Sequence, residues 1–136
     1  MPEYQKPLPI ISAVNQPYWE AARRHELRLQ RCQRCARFWY PFGPVCPFCW
    51  SREYEWALLS GHGTVTSWVV FHQIYFQAFV DEAPYAVVQV ELDEGPRLLS
   101  NLVGVQNDDI FIGMPVEVCF DDVAEEVTLP KFRPRQ

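Results

Sequence analysis

Residues 32–49, CQRCARFWYPFGPVCPFC, constrain this chain more than any other stretch. They hold two C-x-x-C pairs separated by ten residues, and the only other cysteine is Cys119. Each pair is short enough to close a tight knuckle, and two knuckles deliver four thiolates to one tetrahedral ion. Cys32, Cys35, Cys46 and Cys49 would then fill every position around a structural Zn2+ and leave none open for a substrate.

Iron bound by four thiolates is the rival. Two features argue against it: Ala36 and Trp50 follow the knuckles where glycine would turn amides toward the sulfurs, and ten residues is a short separation. A redox dithiol uses one reactive couple rather than two adjacent ones. A disulfide framework suits an exported chain, but MPEYQKPLPIISAV lacks the basic start and apolar core of a signal peptide. No apolar run is long enough to span a bilayer. The expectation is a soluble cytoplasmic protein with no membrane partner.

A length of 136 residues allows one compact core plus a metal-stapled appendage. With 49% hydrophobic and 15% aromatic residues the chain should fold. The net charge of −5 is unevenly spread: Arg23, Arg24, Arg28, Arg31, Arg34 and Arg37 crowd residues 23–37, whereas residues 81–126 carry twelve acids against Arg97 alone. The two ends of the molecule should therefore carry opposite potentials.

The sequence divides into an arm and helix over 1–26, a zinc ribbon over 27–56 and a barrel over 57–136. KPLPIISAVNQP reads as an extended arm and PYWEAARRHELRL as a short helix, with Pro17 in its first turn and Asn15 as its cap. Residues 27–37 suit a hairpin around the first cysteine pair, and Phe38-Trp39-Tyr40-Pro41 bridges to the second. Beyond Trp56, strands are expected at 63–72, 85–92, 97–105, 115–120 and 125–130, punctuated by SGHG, DEAP, DEGP, GVQNDD and IGMP. Five short strands, with Gly61, Gly63 and Gly104 available for bends, predict a mainly β chain ending in a five-stranded OB-fold barrel. Ala86, Val88, Val90 and Leu92 should face inward on one strand, and Val116, Val118 and Phe120 on another.

No catalytic set emerges. Cys119 shares a strand face with Glu117 and Asp121, whose charge would keep its thiol protonated. His25, His62 and His72 fall on the helix, a turn and a strand without triad spacing.

The segments LRLQRCQRC, CPFC, SGHGTVTSWVVFH, VELDEGPRLLSNLVG, IGMPVEVCF and LPKFRP resemble, in order, one family that joins a rubredoxin-like zinc ribbon to an OB-fold and was long known as a domain of unknown function. The resemblance covers residues 8–134. It implies zinc on Cys32, Cys35, Cys46 and Cys49, and no catalytic residue carries over. It also implies a non-catalytic accessory subunit of a thiolase-like enzyme (thiolase, aldolase or acyltransferase), with a hydratase as a further partner, acting on acyl-CoA substrates in steroid or fatty/aromatic acyl-CoA degradation.

Beside that resemblance, the residues suggest contacts. Arg23, Arg28, Arg31 and Arg34 are candidates for CoA phosphates, and Phe71, Tyr75, Phe76 and Phe79 for a partner or an acyl chain. A nucleic-acid-binding ribbon/OB module is the alternative. The acidic barrel half would repel a phosphate backbone, so no nucleic-acid partner is expected.

Overall fold

The computed structural model describes residues 10–71, 85–125 and 127–135. Helix α1 (Gln16–Arg23) leads into a three-stranded sheet of β1 (Arg28–Cys32), β2 (Phe38–Trp39) and β3 (Tyr54–Leu58), in the order β2-β1-β3. A second sheet follows, built from β4 (His62–Phe71), β5 (Tyr85–Leu92), β6 (Arg97–Asn101), β7 (Pro115–Asp122) and β8 (Thr128–Pro134), in the order β6-β5-β4-β7-β8. A parallel bridge between Leu102 and Phe132 brings its two edges together. Among the described residues the fold is therefore mainly β, with one short α-helix, a ribbon and a nearly closed five-stranded OB barrel. Among the described residues, no helix is long and apolar enough to cross a membrane.

The helix is shorter than the sequence pattern suggests. His25 takes a φ of 59°, and the amides of His25 and Glu26 turn back onto the carbonyls of Ala22 (2.8 Å) and Ala21 (3.0 Å), which caps the helix and frees Leu27 and Leu29 for a strand. Asn15 stands at the N-cap position, but its side chain makes no cap bond. Its Oδ1 accepts from the Ser12 amide (2.7 Å) and its Nδ2 donates to the Ile10 carbonyl (3.1 Å), so it ties down the arm instead.

Strict alternation builds the barrel core. Ala86, Val88, Val90 and Leu92 are buried along β5, and on β7 Val116 is buried while Val118 and Phe120 pack against the same cluster. Strand β4 is long enough to serve two neighbours because it bends at a bulge between Val65 and Ser67, where the Thr66 hydroxyl donates to the Gln89 carbonyl at 3.0 Å. At Gly63 the backbones approach so closely that a Cβ would lie 2.6 Å from the Glu91 carbonyl oxygen, which only glycine avoids.

The last strand is displaced from its expected place. It runs over Thr128–Pro134 rather than 125–130, because Phe132, among the largest fully buried side chains, draws the LPKFRP tail into the barrel wall. Strand β6 ends at Asn101 rather than at 105.

The ribbon is not a separate appendage. Leu27 and Leu29 lie in the same cluster as the barrel residues, and a small second cluster of Cys32, Trp39 and Cys46 surrounds the cysteines. Phe42 holds the helix, the bridge and β3 together, its ring 5.0 Å from Tyr18, 5.2 Å from Tyr40 and 5.2 Å from Trp56.

Candidate metal centre

Both knuckles are built alike. Strand β1 ends in Cys32, whose carbonyl accepts from the Ala36 amide at 2.9 Å, and in the second knuckle the Cys46 carbonyl accepts from the Trp50 amide at 2.9 Å. The chain returns each time onto the first cysteine: the Cys32 amide donates to Arg37 and the Cys46 amide to Ser51, both at 2.9 Å. Ala36 and Trp50 adopt left-handed φ values of 65° and 67°. The turn expected to need glycine is thus made without it, so the missing glycines do not argue against iron.

Four sulfurs converge, all within 4.8 Å of one another. Cys32 Sγ lies 3.5 Å from Cys49 Sγ and Cys35 Sγ lies 3.7 Å from Cys46 Sγ. A tetrahedron with zinc–sulfur bonds of about 2.3 Å has edges of about 3.8 Å, so these two edges are close to those the ion requires. These separations are well beyond a disulfide bond of about 2.05 Å.

Backbone amides point at the sulfurs, as thiolates require. Those of Arg34 and Cys35 lie 3.3 and 3.4 Å from Cys32 Sγ. The Cys35 amide, outweighing burial, pulls the Cys32 thiol down to about 6. Burial pushes Cys46 up, but the amides of Cys49 and Phe48 prevail and its thiol is also lowered. The Ser51 amide favours the Cys49 thiolate, yet burial and three neighbouring sulfurs hold that thiol up, at about 11. Thiolates packed this closely repel one another, and a cation among them would offset that repulsion.

The other residues singled out by sequence do not gather into one place. Arg23 ends α1, where it is exposed. Arg28 is held by Glu26 (3.0 Å) and the Trp56 carbonyl (3.3 Å). Arg31 donates to the Ala36 carbonyl (3.3 Å), lies 3.9 Å from Glu55 and sits over Phe38. Arg34 is exposed in the first knuckle. Phe71 ends β4, stacked on Tyr85 at 5.4 Å. Tyr75, Phe76, Phe79 and His72 lie outside the described residues.

The Cys119 thiol is raised, but chiefly by burial rather than by its neighbouring carboxylates. Lys131 pairs with Asp121 at 2.8 Å and Arg133 with Glu117 at 3.0 Å, which blunts their charge.

Two arrangements escaped sequence reasoning. Gln30, fully buried on β1, donates to the Gly43 carbonyl at 2.7 Å and accepts from the Gly43 amide at 3.0 Å, pinning the bridge onto the ribbon sheet. His25 stacks on Phe120 at 5.1 Å, and its Nε2 lies 3.0 Å from Asp122, which also accepts from Thr128 at 2.6 Å. The partners are 97 positions apart, and no local pattern announces them.

Fold and donor set together define a zinc-ribbon protein with an OB barrel. Family models agree along most of the chain: residues 19–55 match the ChsH2 rubredoxin-like zinc ribbon domain and residues 56–121 the ChsH2 C-terminal OB-fold domain. The chain belongs to this ChsH2, or DUF35, family.

Among curated proteins it is 43% identical over 133 residues to a probable enoyl-CoA hydratase alpha subunit of Thermomonospora curvata, covering 98% of this chain and 41% of that one. It thus spans about two fifths of that relative. A DUF35 domain-containing scaffold protein of Methanocaldococcus jannaschii is 35% identical over 97 residues, 71% of this chain and 68% of its own length. The solved structure of the Ltp2-ChsH2(DUF35) aldolase includes a chain that superposes with a TM-score of 0.86 at 43% identity, covering 93% of this chain and 98% of that one.

Proposed function

We propose that this chain is a non-catalytic accessory subunit of a thiolase-like enzyme (thiolase, aldolase or acyltransferase) acting on acyl-CoA substrates in steroid or fatty/aromatic acyl-CoA degradation, in some assemblies beside a hydratase. The observation that carries this reading is the near end-to-end superposition on a chain of the Ltp2-ChsH2(DUF35) aldolase, which matches 98% of that chain. The chemistry of the described residues supports it. Four cysteines form a closed cage, and the Cys119 thiol is held protonated by burial.

Arg23 and Arg34 have no ion pair among the described residues and are the arginines free to meet CoA phosphates, whereas Arg28 and Arg31 already bind within the fold. Phe71, with Tyr75, Phe76 and Phe79 beyond it, supplies the contacts to partner or acyl chain.

Co-expression with a thiolase-like enzyme, followed by gel filtration and an acyl-CoA assay, tests the reading. The two chains should co-migrate, and the enzyme should turn over substrate only with the subunit present. The isolated chain should be inactive. Turnover by the pure chain that disappears in Cys119→Ala would contradict an accessory role. Replacing Tyr75 and Phe76 together by Ser should weaken assembly while leaving zinc content unchanged.

A further inference from the structure

The tip of the ribbon displays side chains that a folded protein ordinarily hides. Trp50 is 81% exposed and Phe48 53% exposed. Trp50 also holds its φ of 67°, which glycine adopts freely and a bulky residue does not, and no ring or cation partner offsets this among the described residues. The Arg37 guanidinium lies 4.7 Å over Phe48, Arg52 follows Trp50 by two positions and Arg34 stands in the other knuckle. None of these three arginines has an ion pair among the described residues. The knuckle bonds make this a rigid surface.

The barrel carries the converse pattern. Asp108 and Asp109 lie in a short 3-10 turn (Asn107–Asp109), exposed and without a basic partner among the described residues, and they precede Phe111 and Ile112, which are 54% and 67% exposed. Ile110 and Met114 are buried on either side, and the Gly113 amide donates to the Val65 carbonyl at 2.7 Å, so Phe111 and Ile112 are held outward by a fixed loop. Charge follows the same division: residues 27–56 carry five arginines against two glutamates, and residues 57–136 carry twelve acids against four basic residues.

We propose that these two patches bind each other across two copies of the chain, the Phe48/Trp50 tip of one seating on the Phe111/Ile112 loop of the next. The match is double: aromatic rings meet exposed aliphatic and aromatic surface, and unpaired guanidiniums meet unpaired carboxylates at the rim. Trp50 is the anchor, since a rigid, exposed Trp loses little entropy on burial and dominates interfaces of this kind. Because different patches meet, the contact is head-to-tail. This inference is independent of the enzyme partner proposed above.

Sedimentation equilibrium of the pure zinc-loaded chain tests it. At about 50 mM salt the mean mass should rise with concentration to at least twice that of the chain, and at about 500 mM salt it should fall back as the rim charges are screened. Trp50→Gly relieves the backbone, so it should leave thermal stability unchanged or higher while weakening association at least tenfold. Asp108→Asn with Asp109→Asn should weaken it similarly. Mixing the Trp50→Gly chain with the double Asn chain should restore association, because each retains the patch the other lacks. A monomer under all conditions would overturn the proposal, as would association indifferent to both variants. A pure chain that stays monomeric but needs Trp50 to join an enzyme, or to hold single-stranded nucleic acid, would also overturn it and give the face to that partner.

Discussion

The ribbon and the barrel are held together by different physics within one continuous core. Strand β5 buries apolar side chains at alternate positions and β7 turns Val116, Val118 and Phe120 toward the same core, both paired over long antiparallel ladders, so their stability scales with apolar area removed from water. The distal ribbon buries only Cys32, Trp39 and Cys46, around sulfurs that repel one another once ionised. One half folds by what it excludes and the other by what it coordinates. The join between them, Leu27 and Leu29, belongs to the barrel's core although it lies on the ribbon's strand. Metal loss should therefore melt the distal ribbon and leave β1 partly anchored.

The largest break in this comparison comes from the cage. Cys46→Ser should release zinc and unfold the knuckles, removing much of the metal-binding free energy of about 10 kcal/mol that couples such sites to folding. Near-ultraviolet circular dichroism should lose its Trp39 contribution while the far-ultraviolet β signal persists. Phe132→Ala strikes the other half: truncating this buried ring should cost about 3–5 kcal/mol by denaturant titration and leave zinc stoichiometry at one per chain.

Gln30→Leu sits at the seam. It orphans the amide and carbonyl of Gly43 and should cost about 2–4 kcal/mol, seen as easier unfolding together with faster zinc exchange. The smallest effect has the opposite sign. Ala36→Gly removes the left-handed strain at φ 65° and should stabilise the zinc-loaded protein by roughly 0.5 kcal/mol, part of the relief being offset by the freer unfolded chain.

What was legible in the sequence follows the same division. Cysteine spacing and period-two alternation are local signals, and both the cage and the inward faces of β5 and β7 stand where those signals put them. The end of the helix was not legible, because His25 holds a conformation that sequence assigns to glycine or asparagine. Nor was the path of the last strand, which is drawn through 128–134 by burial of Phe132 rather than by its two prolines. The Gln30–Gly43 clasp, the Phe42 hub and the His25–Asp122 pair depend on tertiary neighbours far along the chain, and composition carries no trace of them. The turns at Ala36 and Trp50 teach a narrower point: missing glycine does not mean a missing left-handed turn when the surrounding knuckle fixes it.

Hydrogen exchange of the native protein, before and after zinc is removed by a chelator, tests the central claim most directly. The amides of Cys32, Ala36, Cys46 and Trp50 close the knuckles and should lose protection when the metal leaves, while those of Val88 and Val90 in the barrel core keep most of theirs. Protection lost to the same extent in both regions, or in neither, would contradict an account in which coordination holds the distal ribbon and apolar burial holds the barrel.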